Sequence, residues 1–250
     1  MGKGLFKPIQ RFFAGRKRAS PQPRRHLSRQ VIEKALALGA SAAGIADVAA
    51  LRTSPSHHAM ASVSWPPDDA SVVVLALEHS PDEPIMDWWD HRPGGTPGNR
   101  RLIAMGTALV RWLKHEHAIN ARGVPYPIAK GGIFVKDAAV MAGLGVIGRN
   151  NLLITPAFGP RVRLRAILLT TALIPTEPIK AFAPCDNCPA PCHLNCPRNA
   201  FQSGAYDIRL CQRQMALDEA AAGHGRSENA SNPIRYCRMC ELSCIVNRQP

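Results

Sequence analysis

Hydrophobic and polar positions alternate in ways that divide the chain into helical and extended stretches. Val31, Ile32, Ala35, Leu36 and Leu38 recur at helical spacing, behind Ser28 as a candidate N-cap and ahead of Gly39 as a stop. Ala42–Ala46 reads as a short strand. Ser71–Leu77 is continuously apolar and rich in β-branched residues, the pattern of a strand covered on both faces. A second helix is expected from Asn99 as its cap, with Leu102, Ile103, Leu109, Val110 and Leu113 facing inward and Gly123 ending it. Asp137–Ala142 reads as helix and Leu152–Ile154 as strand. Arg161, Arg163 and Arg165 alternate with Val162, Leu164 and Ala166, which predicts a strand with one cationic and one apolar face. Strand, helix and strand in this order predict a layered α/β (α+β) domain.

Composition changes this picture at both ends. The formal net charge is +13, but nine of the 31 Lys and Arg fall within the first 30 residues, which hold no acid. The remainder carries 22 basic against 18 acidic side chains, a net of +4. In this basic arm Leu5, Phe6, Ile9, Phe12 and Phe13 share one helical face. That face suits an anionic membrane surface, a partner protein or tRNA, and equally a solvated terminus. Ala19–Arg25, with Pro21 and Pro23, reads as a linker. No apolar run is long enough to span a membrane and no secretory leader is visible, so a cytoplasmic protein is expected.

All eight cysteines lie between 185 and 244. They run Cys185-x2-Cys188-x3-Cys192-x3-Cys196-Pro197, then Cys211, then Cys237-x2-Cys240-x3-Cys244. Thiolates suit zinc, copper(I) or iron–sulfur clusters. A single run of four closing in Cys-Pro, with a second group further on, is close to the two-cluster ferredoxin pattern, in which one cysteine of the run serves the other cluster. Two separate zinc knuckles remain an alternative, and disulfides are disfavoured by the lack of a secretory leader. Crossed ligation assigns Cys185, Cys188, Cys192 and Cys244 to one [4Fe–4S] cluster and Cys196, Cys211, Cys237 and Cys240 to the other. The expected organisation is an arm at 1–27, an α/β cofactor domain at 28–171, a linker at 172–184 and a small two-[4Fe–4S] ferredoxin-like domain at 185–250.

Gly143-Leu-Gly145-Val-Ile-Gly148 matches G-x-G-x-x-G in form only. A nicotinamide site needs a strand before this motif and a helix after it, and here the order is reversed. The glycines still allow backbone to approach a bulky ligand, with Arg149 and Asn150 offering polar contacts, so these five are the candidate cofactor-binding residues. Trp88 and Trp89 read as a packed loop anchor. His57-His58 and His115/His117 lack a carboxylate or cysteine at ligand spacing and read as surface histidines.

The stretch Lys136–Asn150 resembles the signature loop of epoxyqueuosine reductases. Leu153-Ile-Thr-Pro-Ala-Phe-Gly-Pro-Arg-Val-Arg-Leu164 resembles the matching segment of reductive dehalogenases, and Leu36–Asp47 is similar to the opening helix and strand of both. The resemblance covers roughly residues 28–244. It implies cobalamin near the glycine loop, reduced to cobalt(I) by one of two clusters, and a small-molecule or nucleoside-type substrate. Where epoxyqueuosine reductases carry Arg-Asp-Tyr-His, with its proton-donating Asp, this chain reads Gly98-Asn99-Arg100-Arg101-Leu102. A donor must then come from elsewhere, and Tyr126 and Lys136 are the catalytic candidates, each equally readable as a structural anchor. An iron–sulfur oxidoreductase fed by a redox partner protein is expected. The alternative is an electron carrier or reductive activator of another corrinoid protein, with no substrate of its own.

Overall fold

The computed structural model describes residues 21–60, 63–223 and 232–246. The apolar face expected in the arm, from Leu5 to Phe13, lies outside them. Helix α1 (Pro21–Ala37) leads into strand β1 (Ala42–Asp47), short helices α2 (Val48–Leu51) and α3 (Pro55–Ala59), and strand β2 (Ser71–Glu78). Helix α4 (Pro97–His117), strand β3 (Ala121–Gly123), helix α5 (Val135–Met141) and strands β4 (Val146–Ile147), β5 (Leu153–Ile154) and β6 (Val162–Leu169) follow. The cysteine-rich region carries helices α6 (Pro191–Leu194), α7 (Ile208–Ala221) and α8 (Met239–Leu242).

The main sheet has the order β1-β2-β6-β3, every neighbouring pair antiparallel. Both faces are covered, as the unbroken apolar run of β2 requires. Val73, Leu75, Leu77, Ile167 and Leu169 meet Val31 and Ala35 of α1 and Leu102, Leu109 and Leu113 of α4. The alternate positions Val72, Val74, Ala76, Leu164, Ala166 and Leu168 meet Ala138, Ala139 and Ala142 of α5. Small residues on α5 let that short helix lie close to the strands. The period of two along β2 and β6 thus sorts side chains between two cores. Among the described residues no helix is long and apolar enough to cross a membrane.

Several expected boundaries are corrected. Ser28 is not a cap, and 21–25 is not a linker, because α1 begins at Pro21. Prolines are tolerated in a first turn, whose N–H groups have no intrahelical partner. Ser28 Oγ instead donates to the Arg24 carbonyl and accepts from the Ile174 N–H, both at 2.8 Å. The segment after β6 is pinned rather than loose at its start: Leu173 N–H donates to Ser71 Oγ and Thr176 N–H to the Ile45 carbonyl, covering the edge strand β1. Helix α4 is capped by Thr96, whose Oγ1 accepts from Asn99 N–H at 3.1 Å, and it ends at the left-handed Ala118, not at Gly123, which pairs within β3.

His57 is also corrected. Only His58 is exposed; His57 is buried beside a carboxylate that is distant in sequence. Its Nδ1 is 2.8 Å from Ser54 Oγ, which donates to Asp137 Oδ2, and its Nε2 accepts from Phe134 N–H at 3.1 Å. Burial lowers its pKa from 6.5, against an opposing pull from Asp137. A depressed histidine leaves stability unaffected while both states are neutral. Below pH 6.5 the unfolded chain takes up a proton that the fold resists, so stability falls, by up to about 1.4 kcal/mol per pH unit until the folded ring protonates. Urea titrations at pH 7.5 and 5.5 are expected to show this loss in the wild type and a flatter profile in His57→Gln.

Candidate active site

The eight cysteines are all free and fall into two sets. Cys192 is acted on by Cys244, Cys185 and Cys188, and Cys244 by Cys185 and Cys188, with the Arg161 guanidinium pulling its pKa the other way. Cys240 is acted on instead by Cys237, Glu241, Cys211 and Cys196, and Cys237 by Asp218, Cys196 and Cys211. Cys244 thus lies near the start of the run, apart from Cys240 four positions earlier. Helix α6, opened by Pro191, turns the chain between Cys192 and Cys196. The short α8 likewise separates Cys240 from Cys244. Among the described residues no group of three or more His, Cys, Asp or Glu could hold a single metal ion. Burial pushes the thiols of Cys192, Cys237 and Cys244 up, and that of Cys240 to about 12. A nearby cation is what would favour their thiolates.

Cys196, Cys211, Cys237 and Cys240 all line a cavity of about 910 Å³ between the sheet domain and the cysteine-rich region. The remaining lining includes Tyr126, Lys136, Asn150, Leu152, Leu153, Val162 and Leu164 from the sheet domain, and Phe201, Tyr206 and Tyr236 from the cysteine-rich side. Lys136 opens α5, and its Nζ donates to the Asn151 carbonyl at 2.5 Å. Burial lowers its pKa, only partly offset by Asp137, whose carboxylate is taken up by Ser54 and Ser56. Tyr126 lines the cavity, about half of the residue being exposed, and its hydroxyl donates to the Leu164 backbone carbonyl at 2.9 Å. Burial raises its pKa, while Arg163 pulls the other way.

The glycine loop takes a different role from the one expected of it. Asn150 lines the cavity, but Gly143, Gly145 and Gly148 are not among its walls. A Cβ on Gly143, which has φ of +70°, would stand 2.4 Å from the Glu177 carbonyl oxygen. One on Gly145 would stand 2.2 Å from the Ile154 carbonyl oxygen, and one on Gly148 2.2 Å from Ile154 Cδ1. The close approach that glycine permits is to the chain's own backbone and side chains, which folds the loop onto β5. Arg149 then faces the first thiol set: its N–H donates to Cys185 Sγ at 3.4 Å and its Nη1 to the Cys188 carbonyl at 3.3 Å. Asn150 Nδ2 donates to the Cys240 carbonyl at 3.2 Å, touching the second set. The loop joins both sets to the sheet.

One feature of this wall escaped the sequence. Arg163 of β6 lies 2.8 Å from both Asp87 and Glu241, and Arg238 pairs with the same two carboxylates. His79 Nδ1 lies 2.7 Å from Asp87 Oδ1. Burial alone would raise the Asp87 pKa, but the His79 hydrogen bond and the two arginines hold it below its usual value. These residues are scattered from 79 to 241, and no spacing announces them. The alternation of arginines along β6 was the one available signal. The Trp88–Trp89 loop closes the same edge, as an anchor should. Trp89 and Ile234 exchange backbone hydrogen bonds of 3.0 and 2.8 Å, and the Arg235 guanidinium lies 4.0 Å from the Trp88 ring centre.

No family model matches the sequence. An epoxyqueuosine reductase of Gloeobacter violaceus is 31% identical over 147 residues, 56% of this chain and 43% of that protein. The tetrachloroethene reductive dehalogenase of Sulfurospirillum multivorans is 40% identical over 68 residues, 26% of this chain and 13% of that one. The chain thus spans less than half the length of these curated relatives. In fold, it matches a structure of epoxyqueuosine reductase with an epoxyqueuosine-modified tRNA-Tyr stem loop, at a TM-score of 0.61 and 20% identity, over 89% of this chain and 65% of that one. A reductive dehalogenase structure matches at 0.59 and 17% identity, over 92% and 36%.

Proposed function

Because this chain is similar in sequence and in fold to epoxyqueuosine reductases and reductive dehalogenases, we propose that it is an iron–sulfur reductase that passes electrons through two [4Fe–4S] clusters to a corrinoid and a reducible substrate. The observation that carries this reading is the cavity itself, one wall of which is built from the four thiols of the second set. Cys185, Cys188, Cys192 and Cys244 would hold the first cluster, and Cys196, Cys211, Cys237 and Cys240 the second. When bound, the clusters supply one-electron transfer and a corrinoid supplies the metal centre that reduces substrate.

The chain's own residues do the rest. Leu152, Leu153, Val162 and Leu164 give the cavity apolar walls that exclude water, and Asn150 offers a polar contact. Lys136 is the better proton donor of the two candidates. Its depressed pKa makes the ammonium a readier acid, and its proton is held against a backbone carbonyl at the cavity wall. Tyr126 keeps its proton, because burial raises its pKa and its hydroxyl is committed to Leu164, so it acts as an anchor. Lys136→Gln is expected to lower substrate turnover at least about 100-fold, and Tyr126→Phe less than about tenfold. Comparable losses in both variants would reverse this assignment. The likeness to an epoxyqueuosine reductase seen with a modified tRNA stem loop supports a nucleoside-type substrate, with a small molecule as the alternative.

Anaerobic purification with added cobalamin, followed by assay of iron, sulfide and cobalt, tests the proposal. About eight irons together with cobalt support it. The same iron without cobalt leaves an electron carrier or activator of another corrinoid protein. Zinc in place of iron ends both readings.

A further inference from the structure

Helix α7 buries no residue, although it carries Cys211, and its Met215 and Leu217 face solvent. A 14-residue helix with no buried face gains little from the hydrophobic effect, and isolated helices of that length are marginal. Its inward side is polar. Cys211, Gln214 and Asp218 are half-buried at i, i+3 and i+7, one stripe along the helix. From that stripe runs a continuous chain of hydrogen bonds. Arg198 Nε donates to Gln214 Oε1 at 3.1 Å, Gln214 Nε2 donates to Asp218 Oδ1 at 2.8 Å, and the Cys237 backbone N–H donates to Asp218 Oδ2 at 2.8 Å. At the next position along the helix, Tyr236 Oη donates to Glu219 Oε1 at 2.8 Å.

These bonds join three segments that are far apart in sequence. Arg198 stands two residues after Cys196, Gln214 and Asp218 share the helix with Cys211, and the last bond ends on Cys237 itself. Resting on the cluster reading above, we propose that α7 is a polar brace in which Gln214 and Asp218 fix the Cys196 and Cys237 segments in register with Cys211, and in which the Asp218 carboxylate sets the potential of the second cluster. The electrostatic reasoning is direct. Reduction adds one negative charge to the cluster, and an ionised carboxylate bonded to the N–H of a ligand residue opposes it. Asp218 and Gln214 are positioning residues, acting through the Arg198 and Cys237 segments they hold.

The test uses the full chain, reconstituted anaerobically, with a redox titration of its reduced-cluster spectrum. Asp218→Asn drops the charge and keeps an oxygen for the Cys237 N–H, while its NH2 replaces the oxygen that accepted from Gln214, so the Cys237 tie is kept and the Gln214 bond is lost. The expected result is about eight irons, with the reduction equilibrium of one cluster shifted about tenfold toward the reduced form, which is 59 mV for a one-electron couple. Asp218→Glu, which restores the charge, is expected to return it to within about twofold of wild type. Asp218→Ala is expected to drop iron toward about four while the first cluster's signal persists, because the Cys237 segment loses its tie. Wild-type midpoints for both clusters in Asp218→Asn, or full iron with an unchanged spectrum in Asp218→Ala, would overturn the brace and leave the reductase reading intact. An iron-free wild type would overturn both.

Discussion

Replacing Arg163 by methionine is expected to lower the unfolding free energy by about 3 to 5 kcal/mol, the usual cost of removing one partner from a buried ion pair. Arg163 sits where the sheet meets the cysteine-rich region, its guanidinium 2.8 Å from both Asp87 and Glu241. Both carboxylates are over nine-tenths buried. Without Arg163, Arg238 is the one arginine they share; Asp87 keeps its His79 hydrogen bond, but the two negative charges are left poorly compensated away from water. Methionine keeps much of the side chain's length, so the loss reports charge rather than packing. Denaturant titration measures it. Proteolysis gives a second readout: the cysteine-rich region should become susceptible before the sheet, because Glu241 is its contact with β6. A loss below about 1 kcal/mol would mean that the pair is solvated and does not hold the two parts together.

Substituting Cys244 by serine is expected to remove the first cluster alone, taking iron from about eight to about four per chain and leaving the second cluster's spectrum in place. Cys185→Ser should give the same spectrum despite lying 59 residues away, since 244 − 185 = 59. Cys196→Ser and Cys211→Ser should give the complementary one. The basis is spatial: Cys244 is acted on by Cys185 and Cys188, whereas Cys240, only four positions earlier, is acted on by Cys237, Cys211 and Cys196. The cavity makes the two losses unequal in consequence. Losing the second set removes part of the cavity wall, and losing the first leaves that wall intact. If Cys244→Ser and Cys240→Ser remove the same cluster, the crossed partition is wrong.

Much of the layered domain was legible in the order of residues. Periodicity is a local property, so the apolar run at 71–77, the alternation at 161–166 and the inward face of the helix through Leu102, Leu109 and Leu113 were readable from side-chain order alone, and they set both cores. The confinement of all eight thiols to 185–244 was visible for a related reason, since residue order alone displays it. Helix ends were less legible, because Ser28, Asn99 and Gly123 have the right chemistry for caps while neighbouring residues also qualify. Which one wins depends on where the rest of the chain lies, as the Ile174 N–H taken up by Ser28 illustrates.

Features that depend on partners distant in sequence emerged with the fold. It buried His57 by bringing Asp137 beneath α3, and it turned the three glycines toward Ile154 and Glu177 rather than toward the cavity. It joined Asp87, Arg163, Arg238 and Glu241 into one network, and it tied α7 to Cys237 through Asp218. A hydrogen bond or an ion pair is satisfied by whichever group the fold delivers within about 3 Å, and nothing in the order of residues records that delivery. Hydrophobic burial depends on which face a residue occupies, and so it leaves a periodic trace; polar pairing depends on a single meeting in space, and so it leaves none.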